Sequence, residues 1–169
     1  TSNGCETSVY SLANCGSCGT VCDLANASES CAAGTCTLSS CNSGYGNCDG
    51  LTPNGCEAAL TTLANCGSCG TACAPANATG ASCSTGSCTY TACNAGYGNC
   101  DGITSNGCDS SLTTLTNCGG CGTACAPANA SGASCSTGSC TYSACNAGWG
   151  NCDGLTANGC ETSIYSLAN

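Results

Sequence analysis

The sequence predicts small disulfide-rich tandem repeats with little regular secondary structure, each holding a short helical turn and a β-hairpin, arranged as an elongated array. Three observations carry that prediction. Of 169 residues, 25 are cysteine and 25 glycine, far above the share of cysteine at which a short chain reads as a disulfide scaffold. The cysteine pattern restarts at Cys56, Cys108 and Cys160, and periodicity of this length marks an array of similar modules. Large apolar side chains are scarce, with one Trp, six Tyr and no Phe or Met.

The repeats are phased at 1–51, 52–103 and 104–155, and 156–169 begin a fourth. The first holds Cys5, Cys15, Cys18, Cys22, Cys31, Cys36, Cys41 and Cys48. The second holds Cys56, Cys66, Cys69, Cys73, Cys83, Cys88, Cys93 and Cys100; the third holds Cys108, Cys118, Cys121, Cys125, Cys135, Cys140, Cys145 and Cys152. Eight cysteines close as four bridges, but they allow 105 connectivities and the spacing does not choose among them. These three sets are assigned to disulfides. The odd cysteine is Cys160 if the first cysteine of a repeat pairs forward and Cys5 if it pairs backward; Cys160 is assigned to a bond with another subunit or with further chain. Residues 156–169 nearly duplicate 1–14, as expected of a window on a longer repeating chain or of a subunit joined head to tail.

Within a repeat the elements follow in order. In CETSVYSLANC, residues 5–15, Cys5, Val9, Leu12 and Cys15 fall at the spacing of one side of a short helix. Leu60/Leu63, Leu112/Leu115 and Ile164/Leu167 occupy the equivalent positions. The string NCGSCG follows, with glycines suited to tight turns. ASCSTGSCTYTAC at 81–93 reads as a hairpin: Cys83 leads into a Ser-Thr-Gly turn, and Cys88, Tyr90 and Ala92 alternate with polar neighbours. GYGNCDGLTPNGC closes the repeat as a Gly/Asn/Asp-rich loop. So few apolar side chains make a repeat of this size marginal. Bridges stabilising by ~2–4 kcal/mol each through the unfolded state decide whether it folds.

Charge narrows the function classes. The formal charge is −9 and the chain has no Lys, Arg or His. Nothing can neutralise the phosphates of nucleic acid, nothing attracts an anionic membrane surface, and no apolar run reaches the ~20 residues of a membrane helix. Zinc and iron–sulfur sites would use clustered thiolates, often with His, whereas these cysteines are evenly distributed. Disulfides persist in oxidising compartments, so an extracellular or cell-surface location is expected. Nucleophilic catalysis with His or Lys as base has no residues to use. No enzyme and no cofactor is therefore expected. Without Lys or Arg, trypsin-like proteases find no site.

Some motifs recur in phase. NAS, NAT and NAS present Asn26, Asn77 and Asn129 as N-glycosylation acceptors. Asp49, Asp101 and Asp153, each followed eight residues later by Glu57, Asp109 and Glu161, are a minor calcium alternative, since the string lacks the alternating carboxylates of an EF-hand. Near a helix start, such acids are also simply favoured by the local dipole. Tyr45, Tyr97 and Trp149 share one position between glycines, as the one large packing residue of the module or a sugar-stacking face.

Taken together, NGCE, NCGSCG, CSTGSC and GYGNCDG resemble the cysteine-rich repeats of large secreted proteins of myxobacteria and related bacteria. The NCGSCG part is also similar to the cysteine motif of plant stigma-specific proteins. The bacterial resemblance spans all three repeats and the partial fourth; it implies an extracellular array and brings no catalytic residues. The expected function is structural: a subunit or segment of an extracellular, disulfide-stapled, glycosylated fibre or surface stalk. Its partners would be covalent glycans and copies of itself or continuing chain. An adhesin-like array that recognises carbohydrate or is stiffened by calcium is the alternative.

Overall fold

The computed structural model describes residues 7–165. Its regular structure is a series of small antiparallel pairs, and among the described residues helix is limited to two 3-10 turns, Thr52–Asn54 and Thr104–Asn106. The chain divides into two compact units, one running to Ala74 and including Ala81–Thr89, the other made of Pro75–Gly80 and the chain from Tyr90.

In the first unit, β1 (Tyr10–Ser11) pairs with β2 (Asn14–Cys15), and β3 (Ala27–Ala32) with β4 (Thr35–Cys41). The β3–β4 loop is Ala33-Gly34, with φ 51° and 76°. Two positive φ values are what a two-residue turn needs to match the strand twist. β5 (Tyr45–Gly46) pairs with β6 (Ala58–Ala59). In the second unit, β7 (Ala78–Thr79) pairs with β8 (Ala92–Cys93), and β9 (Tyr97–Gly98) with β10 (Ser110–Ser111). β11 (Ala130–Ser131) pairs with β12 (Ala144–Cys145), and β13 (Trp149–Gly150) with β14 (Thr162–Ser163).

The hairpin expected at 81–93 is present, its rungs being Ser82↔Thr89, Thr79↔Ala92 and Ala78↔Cys93. The first repeat has one residue fewer before its fifth cysteine. Its hairpin is a continuous ladder with one bulge at Ser28/Glu29, whereas the extra residue in later repeats divides the ladder into base and tip.

The helix expected over residues 5–15 is not formed. Residues 10–15 turn back on themselves as β1 and β2, and Cys5 and Leu167 lie outside the described residues. At the equivalent positions, Leu60 N–H donates to Gly44 O at 2.8 Å, Leu60 O accepts from Gly67 at 2.8 Å, and Leu63 O accepts from Cys73 at 2.7 Å. These carbonyls and amides are drawn sideways to neighbouring loops instead of four residues along. An eleven-residue helix is too short to overcome the cost of nucleation without a buried face, and Leu63 and Leu115 remain about half exposed. The helical turns form instead in the TPN and TSN segments, the first with a proline in its opening turn.

The core is made of sulfur. Among the described residues, every buried hydrophobic side chain except Leu24 is a cysteine, and Cys56, Cys108 and Cys160 are the largest fully buried side chains. Glycine lets these sites close. Gly55, Gly107 and Gly159 have φ of 78°, 95° and 97°, and a Cβ on them would strike the backbone of Ala25, Ala76 and Ala128. An L side chain fits neither the angle nor the space.

Eleven disulfides join described cysteines, and they overlap. Cys41–Cys56, Cys48–Cys69, Cys66–Cys83 and Cys73–Cys88 form one interlocked mesh. Cys93–Cys108, Cys100–Cys121, Cys118–Cys135 and Cys125–Cys140 repeat it. None of these bridges spans 36–41, 88–93 or 140–145, so each mesh is joined to the next by a single backbone thread. Cleavage in denaturant without reductant therefore gives distinct products. A cut after Tyr90 releases separate fragments, while a cut after Leu63 leaves its ends tethered until reduction; mass spectrometry reads both. Replacing Cys41 and Cys56 together by Ala is expected to lower stability by ~2–5 kcal/mol in chemical denaturation. That loss exceeds the one for Cys48 and Cys69, whose bridge is exposed and fills no core.

Candidate functional site at the repeat junctions

The sequence-phased repeats meet where the second kind of residue recurrence, NCDG followed by NGC, is folded. Two bridges cross each of the first two junctions, and one crosses the third. One runs fifteen residues forward into the buried cysteine of NGC, as in Cys41–Cys56, Cys93–Cys108 and Cys145–Cys160. The other runs twenty-one residues forward into the second cysteine of the NCG(S/G)CG turn, as in Cys48–Cys69 and Cys100–Cys121.

This arrangement corrects the assignment of the odd cysteine. Cys160 does not reach outward: it is bonded to Cys145, fully buried, and its amide donates to Ala128 O at 2.7 Å. Among the described residues it is Cys152, assigned above to a disulfide, that carries a free and exposed thiol. The reason is direction. Both junction bridges run forward, and the counterpart of Cys152 would lie twenty-one residues further on. Cys18 is disulfide-bonded, and Cys5 falls outside the described residues. The other cysteines assigned to disulfides are paired as assigned.

Asn26, Asn77 and Asn129 sit at these junctions. All three have left-handed backbones, with φ of 51°, 49° and 49°, a conformation that Asn tolerates better than most residues. Their side-chain amides donate to the carbonyls of Cys56, Cys108 and Cys160 at 3.2, 3.1 and 3.0 Å. The Asn nitrogen of each acceptor motif thus also ties the hairpin to the NGC cysteine, a role the motif did not announce.

The six carboxylates are brought together only in pairs, each within its own loop. Asp49 accepts from Leu51 N and Asn54 Nδ2, both at 2.8 Å. Glu57 accepts from Cys48 N at 2.8 Å and Asp49 N at 3.2 Å. Asp101 and Asp153 repeat the first pattern, and Glu161 repeats the second. The shorter Asp109 accepts from Cys100 N at 3.1 Å and from the Ser110 hydroxyl at 2.8 Å. These acids brace the loop, and among the described residues no group of three or more Cys, Asp or Glu is placed to hold a metal ion. Hydrogen bonds hold three of the carboxyls below the usual range: Asp153 through the Leu155 amide and Asn158, Asp109 through Ser110 and the Cys100 amide, and Glu161 through its own amide and that of Cys152.

The NCG(S/G)CG turn is capped by its asparagine, which sequence reading passed over. Asn14, Asn65 and Asn117 Oδ1 accept from Gly19, Gly70 and Gly122 at 2.7, 2.7 and 2.8 Å. The signal was available: Asn before a Cys-Gly step is a residue that closes turns with its own side chain. Tyr45, Tyr97 and Trp149 pair with Ala59, Ser111 and Ser163 and stay 38%, 39% and 37% exposed. Each ring is therefore partly open to solvent. A shallow cavity of about 480 Å³ in the first unit, lined by Ser43, Gly44, Leu60, Thr61, Gly67, Thr85 and Gly86, has no charged or aromatic wall.

No family model, curated protein or solved structure matches this chain.

Two outcomes follow from the junction chemistry. Asn77→Gly keeps the left-handed backbone and loses only the bond to Cys108, at a cost of about 1 kcal/mol. Asn77→Ala adds backbone strain and costs about 1 kcal/mol more; denaturant titration of both variants separates the two effects. The depressed carboxyl of Asp153 contributes stability that is complete above its unfolded pKa and is lost as pH falls through its lower folded value. Protection of the Leu155 amide against hydrogen exchange should therefore drop below the ordinary carboxylate range. Asp153→Asn should remove that pH step.

Proposed function

We propose that this chain is a structural segment of an extracellular fibre or surface stalk, built from disulfide-stitched repeats of the kind its sequence resembles and carrying covalent glycans. The observation that supports this reading most is the double bridge at the first two repeat junctions, Cys41–Cys56 with Cys48–Cys69 and Cys93–Cys108 with Cys100–Cys121. A load carried along the chain passes through covalent bonds at every junction, and only the short threads between meshes can extend. The bridges themselves require an oxidising environment, and no described helix is long and apolar enough to cross a membrane. The absence of Lys and Arg suits a material exposed to secreted proteases. Acids that brace their own loops and a cavity without charged or aromatic walls offer little for catalysis.

A force–extension measurement on single molecules tests the mechanical role. With bridges intact, the chain should lengthen by little more than its threads; adding reductant should release the folded meshes as large further steps. Equal extension with and without reductant would sink the proposal. Release of N-linked sugar from source material, read as a mass shift at peptides holding Asn26, Asn77 or Asn129, tests the glycan.

A further inference from the structure

The NGC string of each junction contains an Asn-Gly step: Asn54-Gly55, Asn106-Gly107 and Asn158-Gly159. Such a step loses ammonia readily, because glycine has no Cβ to shield its nitrogen. The glycine backbone nitrogen attacks Cγ of the asparagine and gives up its proton. The Cγ–Nδ2 bond breaks, and the departing nitrogen takes up that proton and leaves as ammonia. Water then opens the cyclic imide at either carbonyl, which yields an aspartate or its β-linked isomer.

Either product would damage the junction. Cys56, Cys108 and Cys160 follow directly, are fully buried, and donate their amides to Ala25, Ala76 and Ala128 at 2.8, 2.7 and 2.7 Å. The β-linked isomer lengthens the backbone just before that seat. Either isomer also puts a carboxylate beside Asp49, Asp101 or Asp153, and two such groups resist ionising together.

The fold restrains both reacting groups. Asp49, Asp101 and Asp153 Oδ2 accept from Asn54, Asn106 and Asn158 Nδ2, each at 2.8 Å. Their Oδ1 atoms are fixed in turn by the amides of Leu51, Ile103 and Leu155, also at 2.8 Å. The asparagine amide therefore turns toward its neighbour only by breaking a charge-assisted bond. The attacking nitrogen is held at two of the three steps. Gly55 N–H donates to Thr52 O at 3.1 Å and Gly107 N–H to Thr104 O at 3.3 Å, closing the two 3-10 turns. Residues 156–158 form a turn without 3-10 helix, and Gly159 N–H makes no such bond to Thr156.

We infer that Asn54, Asn106 and Asn158 are latent deamidation sites that the folded junction keeps intact. Asp49, Asp101 and Asp153 restrain the amide that would leave, and the 3-10 turns restrain the nitrogen that would attack. Asn158, restrained at its amide without the turn, converts first. This chemistry is independent of the structural role proposed above.

The test holds the whole oxidised chain at mildly alkaline pH beside the same chain reduced and alkylated. Samples are quenched with acid, digested with pepsin and read by mass spectrometry for the converted share of each asparagine. Asn54 and Asn106 should convert ~10- to 100-fold more slowly in the oxidised chain, the factor carried by a hydrogen bond to a charged group, with Asn158 ahead of both. Asp49→Asn should raise the Asn54 rate by a similar factor and leave Asn106 unchanged, the Cys41–Cys56 peptide confirming a native junction. Asp101→Asn, read at Asn106, decides the same point if the first variant does not form its bridge. Equal rates at Asn54 and Asn106 in the oxidised and reduced chains overturn the proposal. So does a bridged variant whose asparagine converts no faster than in the parent chain. An Asn158 slower than the other two overturns the part assigned to the 3-10 turns.

Discussion

Cys56, Cys108 and Cys160 are fully buried, and each is tied to a cysteine fifteen residues earlier in the chain. Everything nearby is arranged around that bond. The preceding glycine takes a backbone angle that no L side chain tolerates well, so that the NGC segment can lie against the alanine backbone of the hairpin stem. The cysteine amide donates to that stem, and its carbonyl accepts from the left-handed asparagine. A chain with so little hydrocarbon to bury cannot collapse around leucines. It collapses around sulfur, and the bridge limits the unfolded state as well as filling the folded one.

The surface loops are held by a different means. Outside the β3–β4 hairpin the strands are only two residues long and there is almost no helix, so most backbone groups have no ladder to join, yet buried polar groups must be paired. Asn, Asp, Glu, Ser and Thr side chains do this locally, as in Asn47 to Gly50, Asp49 to Leu51 and Glu57 to Cys48. Among the described residues, no buried side-chain polar atom lacks a partner. Acidic residues that suggested a calcium site are thus part of the scaffold, and the same loops position the cysteines that cross each junction. Loop order and junction chemistry are one problem.

The repeat, the disulfide-rich class and the hairpin at 81–93 were legible in the sequence, because each depends on local spacing: cysteine period, alternation around a Ser-Thr-Gly turn, and the shortage of large apolar residues. Parity alone also required one cysteine to differ from the rest. Which cysteine it is was decided only by tertiary structure. Pairing at fifteen and twenty-one residues forward depends on how NGC seats against the previous hairpin, and no local pattern encodes that contact. The helix read from Val9 and Leu12 failed for a related reason. Apolar spacing indicates a helix when the chain can bury one face, and here the neighbouring loops captured the same amides and carbonyls first.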